Sequence, residues 1–140
     1  MNITSFRARH AMGRIVRGPA LVAHDGFSAR YDLDRIAGIF SRPAHKLAGQ
    51  SYVGKILVLD TAKGGVATAW MLHDMTARGV IPLALVFNSV NPILAQGAAL
   101  ANMPMLAGFD EDITAAIPSG AELEVNPQSG TLSLFDKPCT

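Results

Sequence analysis

The amino-acid sequence predicts a mixed α/β domain, a closed or half-closed barrel with a parallel βαβαβ middle and antiparallel strands at both ends. Three observations lead there. Lys55 to Leu59 reads as a buried strand, and Leu83 to Phe87 is an unbroken apolar run with the composition of a strand covered on both faces. Each precedes a stretch of helical character, and two βα units in succession favour parallel strands with right-handed crossovers. The last third of the chain instead alternates polar and apolar residues, as half-buried antiparallel strands do.

Taken in order, Met12 to Val16 and Ala20 to Ala23 read as strands around a Gly18-Pro19 turn, with His24-Asp25-Gly26 turning again. Residues 27–31 extend a strand into a loop. From Asp32 to Gln50 the pattern is weak and reads as a long loop with one short helical turn; loops of that length are often functional. Val66 to Arg78 presents a wide apolar face, including Trp70 and Met75, and Gly79 supplies a helix stop. A second helix runs from Pro92 to Ala101, with proline suited to its first turn. Met105 to Ala107 is a third parallel strand. Ile117 to Gly120 is a turn, and Glu122 to Val125 and Thr131 to Phe135 form a hairpin around Asn126 to Gly130. This gives an N-terminal arm (1–11), one domain (12–136) and a short tail (137–140).

Composition narrows the function. Hydrophobic residues make up 49% of the chain and charged ones 16%, so either the core is tightly filled or a partner covers an apolar face. The net charge is +1 and the basic residues form no stripe, which argues against nucleic acid. Arg7, Arg9, His10, Arg14 and Arg17 read as a solvated arm. The single cysteine, Cys139, cannot form an internal disulfide, and no other residues have metal-ligand spacing. With neither a signal-peptide pattern nor a run long enough to span a bilayer, a cytoplasmic protein is the simplest expectation, with no membrane partner.

The most informative stretch is Gly54 to Leu72: a buried strand, a glycine turn holding Lys63, then a helix start. That order aims unpaired backbone N–H groups beyond the strand end, where they suit a carboxylate or phosphate. It is not a P-loop, because no Gly-Lys-Ser/Thr follows. Lys63 reads as an anion-binding cation or as an exposed turn lysine. Gly64 and Gly65 allow close backbone approach to a ligand, or satisfy turn geometry alone. Thr68 offers a hydroxyl to substrate or caps the helix. Asp60 and Thr61 end the strand where α/β ligands commonly bind, and Asn88 and Asn91 border the same crevice; all four also suit turns. His24 and Asp25 are adjacent in an extended segment and point to opposite faces, so they are poorly placed to act as one pair. His10, His45 and His73 read as surface or packing residues.

The residues Gly18-Pro19-Ala20-Leu21-Val22 with His24-Asp25, Gly49-Gln50-Ser51 with Gly54-Lys55-Ile56-Leu57-Val58-Leu59, and the Lys63-Gly64 turn recur in a known family. So do Val86-Phe87-Asn88 with Asn91-Pro92-Ile93-Leu94, Gly97-Ala98, Met103-Pro104-Met105 and the Gly120 to Gly130 hairpin. From about residue 12 to residue 135, the chain resembles the small, swivelling subunit of the aconitase X hydro-lyases, a group that includes phosphomevalonate and cis-3-hydroxyproline dehydratases. The resemblance implies a swivelling β/β/α domain that shares an active site with a larger subunit. That partner would carry iron or an iron–sulfur cluster, and this chain would bind no cofactor. It also implies a carbon–oxygen lyase, inactive in the absence of its partner, that dehydrates a small hydroxy acid. Thr61, Lys63, Gly64, Gly65 and Asn88 would be substrate-binding residues.

The resemblance includes one departure. Where the family turn reads Gly-Arg-Gly-Ser, with the serine as proton acceptor, this chain has Ala62-Lys63-Gly64-Gly65. Thr68, one helical turn on, is then the candidate catalytic hydroxyl. Otherwise the partner supplies the base, or the substrate differs. The alternative function is a non-catalytic binding or regulatory module that kept the fold and lost the serine.

Overall fold

The computed structural model of the chain describes residues 3–27, 33–34, 37–41, 45–62, 74–77, 79–89, 104–118 and 120–135. Among these, the strands are β1 (Ile3–Arg7), β2 (His10–Met12), β3 (Val16–Val22), β4 (Gly26–Phe27), β5 (Leu33–Asp34) and β6 (Ile39–Phe40). They continue with β7 (Ile56–Ala62), β8 (Ala84–Ser89), β9 (Met105–Ala107), β10 (Glu122–Asn126) and β11 (Thr131–Phe135).

The main sheet runs β1-β11-β10-β3-β7-β8-β9-β2, with β4 also paired to β7. Strands β3, β7, β8 and β9 are parallel, and antiparallel pairs flank them on both sides. The two ends of this path, β1 and β2, are joined through residues 8 and 9. Ala8 N–H donates to Gly130 O and Arg9 N–H to Gly108 O, each at 2.9 Å, so the ribbon closes on itself. This is the mixed α/β barrel that the strand patterns predict.

The parallel strands are buried on both faces, and their pleat sorts residues into two cores. Ala20, Ile56, Val58, Ala84, Val86 and Leu106 face inward with Leu123, Val125, Leu132 and Ile113. Leu21, Leu57, Leu59, Leu85, Phe87, Met105 and Ala107 face outward against Phe40, Leu47, Tyr52 and Met75. Each Val, Leu, Ile, Met or Phe among them contributes about 1.5–3 kcal/mol by leaving water. An apolar residue at every position of β7 and β8 up to Leu59 and Phe87 is therefore required, and that requirement made these runs legible.

The structure departs from the sequence expectations in three places. Residues 3–11, expected within the N-terminal arm, carry β1 and most of β2 and close the barrel, and the strand expected from Met12 to Val16 is interrupted at residues 13–15 between β2 and β3; Arg9 pairs with Asp110 on the surface. Gly18-Pro19 is not a turn, because β3 runs through it while changing partners. Residues 16–19 pair with β10 and residues 20–22 with β7, so the missing Pro19 N–H falls at the switch. A Cβ at Gly18 would sit 2.5 Å from Leu83 Cδ1, so any larger residue there would displace the end of that leucine side chain. The expected long loop between 32 and 50 holds the β5–β6 hairpin, and Ile39 bridges Ser51. Its buried Phe40 and Leu47, with Tyr52 just beyond, roof the outer core.

Residues 74–77 are helical, and the stop at Gly79 takes the form its sequence suggests. Gly79 has φ 71, its N–H donates to Thr76 O at 3.2 Å, and Val80 N–H reaches back to Met75 O at 3.1 Å. These are the paired bonds of a Schellman cap. The remainder of the 66–78 helix, and the whole of the 92–101 helix, lie outside the described residues.

Candidate functional site

Strands β7 and β8 extend beyond their apolar runs, to Ala62 and Ser89, because β4 pairs Thr61 and Ala62 on one side and Ser89 pairs Thr61 on the other. The alternation that buries Val58 and Val86 inside the barrel carries on to Asp60 and Asn88 at its mouth. The next residues, Thr61 and Ser89, fall on the opposite face and touch each other, Ser89 Oγ donating to Thr61 Oγ1 at 3.2 Å. Thr61 and Asn88, both expected at one crevice, are thus on the same rim but on different faces of the sheet.

The inner rim is closed by a four-residue helix, Ile113–Ala116, whose Ile113 is fully buried in the barrel core. Asn88 joins the three elements. Its Nδ2 donates to Asp60 Oδ1 at 3.0 Å and to Asp112 Oδ1 at 2.8 Å, while its Oδ1 accepts from Ile113 N–H at 3.0 Å. Two carboxylates on one side and an amide N–H on the other leave only this orientation of the carboxamide.

Asp112 caps the helix, its Oδ1 accepting from Thr114 N–H at 3.0 Å and from Thr114 Oγ1 at 2.5 Å. The Thr114 hydroxyl, then the Asn88 amide, hold this carboxyl below the usual range against an opposing cost of burial, with smaller help from the Thr114 N–H and the facing His24. Asp112 is therefore an anion at neutral pH.

His24 and Asp25 lie on a bulge beside this rim. Val22 pairs with Val58 but Gly26 pairs with Thr61, so four steps along one strand match three along the other. The extra residue throws the two side chains apart, as their adjacency predicts. His24 Nδ1 lies 3.0 Å from Thr114 Oγ1 and 3.6 Å from Asp112 Oδ2. Asp25 turns the other way, 3.8 Å from Nε2 of His45 and accepting from Lys46 N–H at 3.2 Å. The fully buried His45 ring stacks on Phe40 with centroids 4.6 Å apart, and its Nδ1 accepts from Leu47 N–H at 3.1 Å. His45 is a packing residue.

Lys63, Gly64, Gly65 and Thr68 lie outside the described residues, as do Asn91, Trp70 and His73. Asp112 and Thr114 were not singled out from the sequence. The signal was there: an aspartate directly before the apolar-spaced Ile113 and Ile117 is a helix-start pattern. Among the described residues no group of three or more His, Cys, Asp or Glu side chains could hold a metal ion, and no helix is long and apolar enough to cross a membrane.

With the barrel and its rim established, comparison with known proteins decides the family. Residues 5–134 match the aconitase X swivel domain. The chain belongs to this family. Among curated relatives, the phosphomevalonate dehydratase small subunit of Archaeoglobus fulgidus is 30% identical over 119 residues, covering 85% of this chain and 89% of that protein. The corresponding subunit of Pyrococcus abyssi is 27% identical over 121 residues, 86% and 91% of the two chains. The crystal structure of holo-form Thermococcus kodakaraensis aconitase X superposes with a TM-score of 0.87 at 24% identity, covering 95% of this chain and 99% of that one. A UPF0107 protein solved by solution NMR matches at TM-score 0.84 and 29% identity, covering 95% and 100%. The aconitase X swivel fold thus accounts for nearly the whole chain.

Proposed function

We propose that this chain is the small subunit of an aconitase X-type hydro-lyase, dehydrating a small hydroxy acid at a site shared with a larger subunit. The observation that carries this reading is the family match over residues 5–134, together with relatives named as small subunits of phosphomevalonate dehydratase over most of their length. Those names make a phosphorylated hydroxy acid the first substrate to test.

In this reading the turn that follows β7 binds the acidic groups of the substrate. Lys63 provides a point charge, Gly64 and Gly65 provide backbone N–H groups, and Thr68 contributes a hydroxyl. The partner holds the iron centre, which supplies Lewis-acid chemistry at the leaving hydroxyl. This chain's own contribution is to bind and orient the anion and to stabilise the charge that develops as a proton leaves carbon. Asn88 fixes the rim at the end of β7 through its bonds to Asp60, Asp112 and Ile113.

Co-purification tests the reading. The full chain expressed with the larger aconitase X-type subunit of its own source should elute with it as a metal-containing heteromer. A chain that stays a monodisperse monomer in that mixture would contradict it. The second reading, a non-catalytic swivel module, is favoured by Gly65 at the position of the family serine. It predicts a heteromer in which Lys63→Ala leaves turnover unchanged.

A further inference from the structure

We propose that His24 is the proton-accepting side chain this chain brings to the shared site, aimed by Thr114 and Asp112. The inference rests on the hydro-lyase reading and adds the base that a glycine at position 65 cannot supply.

The argument follows the protons. Thr114 Oγ1 lies 2.5 Å from Asp112 Oδ1, a separation at which a hydroxyl must donate to a carboxylate. The threonine proton is thereby committed, and only lone pairs of Oγ1 remain for His24. The contact of His24 Nδ1 with Thr114 Oγ1 at 3.0 Å is then a donation from Nδ1–H. A neutral imidazole protonated at Nδ1 carries its lone pair on Nε2. The carboxylate of Asp112, 3.6 Å from Nδ1, also stabilises the imidazolium that forms when Nε2 takes up a proton. Asp112 and Thr114 are positioning residues, playing the part that an orienting carboxylate plays for histidine bases elsewhere.

Place and access agree with this. The bulge holds His24 between two backbone bonds to β7, Ala23 N–H to Val58 O at 3.1 Å and Asp60 N–H to Asp25 O at 3.0 Å. The imidazole therefore stands at the carboxyl end of β7, the strand that Lys63 follows in the sequence. Its side chain is 60% exposed, so the imidazole is open to a ligand outside this chain. His45 is the contrast: buried, with Nδ1 accepting a backbone bond, it has no such outward lone pair. Among the described charged groups, Asp112 faces the His24 ring from the helix cap. Asp25 on the same bulge is turned to His45, Asp60 lies beyond Asn88, and Asp110 is paired with Arg9.

In the step itself, Nε2 takes a proton from the carbon next to the substrate carboxylate, and the C–H electron pair becomes the new C=C bond. The C–O bond breaks with its pair on oxygen, and the hydroxide released is protonated to water. The imidazolium returns its proton to solvent, so substrate yields alkene and water.

Two measurements test this. Long-range ¹H–¹⁵N correlation on the full chain, with the His24 signals identified by their loss in His24→Gln, should show the neutral ring protonated at Nδ1. A ring protonated at Nε2 overturns the proposal. In the reconstituted complex with phosphomevalonate, His24→Gln should lower kcat about a hundredfold or more, with KM little changed and the acid limb of the pH profile lost. Thr114→Val should shift the tautomer and lower kcat, and Thr114→Ser should restore both. An active wild-type complex whose His24→Gln form keeps kcat within threefold overturns the inference alone. So does Thr68→Ala abolishing turnover while His24→Gln spares it. A wild-type complex that dehydrates no hydroxy acid overturns the hydro-lyase reading and this inference with it.

Discussion

Asn88 donates to Asp60 at 3.0 Å across the paired ends of β7 and β8, and the same amide reaches Asp112 at 2.8 Å. One carboxamide thus separates two carboxylates and links both strands to the cap of the 113–116 helix. Removing it should be felt at once. Asn88→Ala leaves the Ile113 N–H without its acceptor and removes the amide donor that Asp60 and Asp112 share, a loss of about 1–3 kcal/mol in urea unfolding. Asn88→Asp should be worse at neutral pH, because it sets a third negative charge between two others, and should recover as the pH falls. An Asn88→Asp variant as stable as wild type at neutral pH would contradict the hydrogen-bond assignment.

Asp112 gives a pH signature of defined sign. Its folded-state carboxyl is held below the usual range, so its stabilising contribution is complete above the ordinary value of 3.8 and is lost as pH falls through the lower folded value. Asp112→Ala should therefore cost about 1 kcal/mol near neutrality, as loss of an N-cap does. The gap to wild type should narrow in strongly acidic solution. A deficit that grows on acidification would reverse the sign and exclude this account.

Ile113 tests the plug at the barrel mouth. It is fully buried among Val58, Val86, Leu106 and Leu132. Ile113→Ala should cost about 2–5 kcal/mol, since a closed barrel offers few ways to collapse around the cavity. Chemical denaturation checks this directly. A cost below about 1 kcal/mol would mean that the helix is not part of the cooperative core.

Much of the barrel was legible in the sequence, for a physical reason. Strands such as β7 and β8 are covered on both faces, so every residue from Ile56 to Leu59 and from Ala84 to Phe87 must be apolar. Strands β10 and β11 alternate because only one face is fully buried. The half of β3 at residues 20–22 was legible but its continuity through residues 17–19 was not, because Gly18-Pro19 carries the composition of a turn while serving a change of sheet partner. Residues 37–52 hid Phe40, Leu47 and Tyr52 in a polar, proline-containing stretch without periodicity. The candidate site was half legible. Asp60, Thr61 and Asn88 could be placed at strand ends, but no local pattern shows that a pleat puts Thr61 on the other face, or that Asn88 meets a cap 24 residues downstream.

Lys63 follows β7 by one residue and carries the anion-binding part of the proposal. In the reconstituted complex, Lys63→Ala should reduce turnover tenfold or more, as loss of a transition-state donor does. Lys63→Arg should retain most of it, since the charge is kept. Equal turnover of wild type and Lys63→Ala would remove this turn from the mechanism.

The central claim is that this chain supplies half of a dehydratase site. Its most direct test is the rate of water loss from phosphomevalonate measured with this chain, with the larger subunit, and with the two combined. The account predicts turnover in the combined sample and none in either alone. Full activity of the larger subunit without this chain, unchanged when the chain is added, would contradict it.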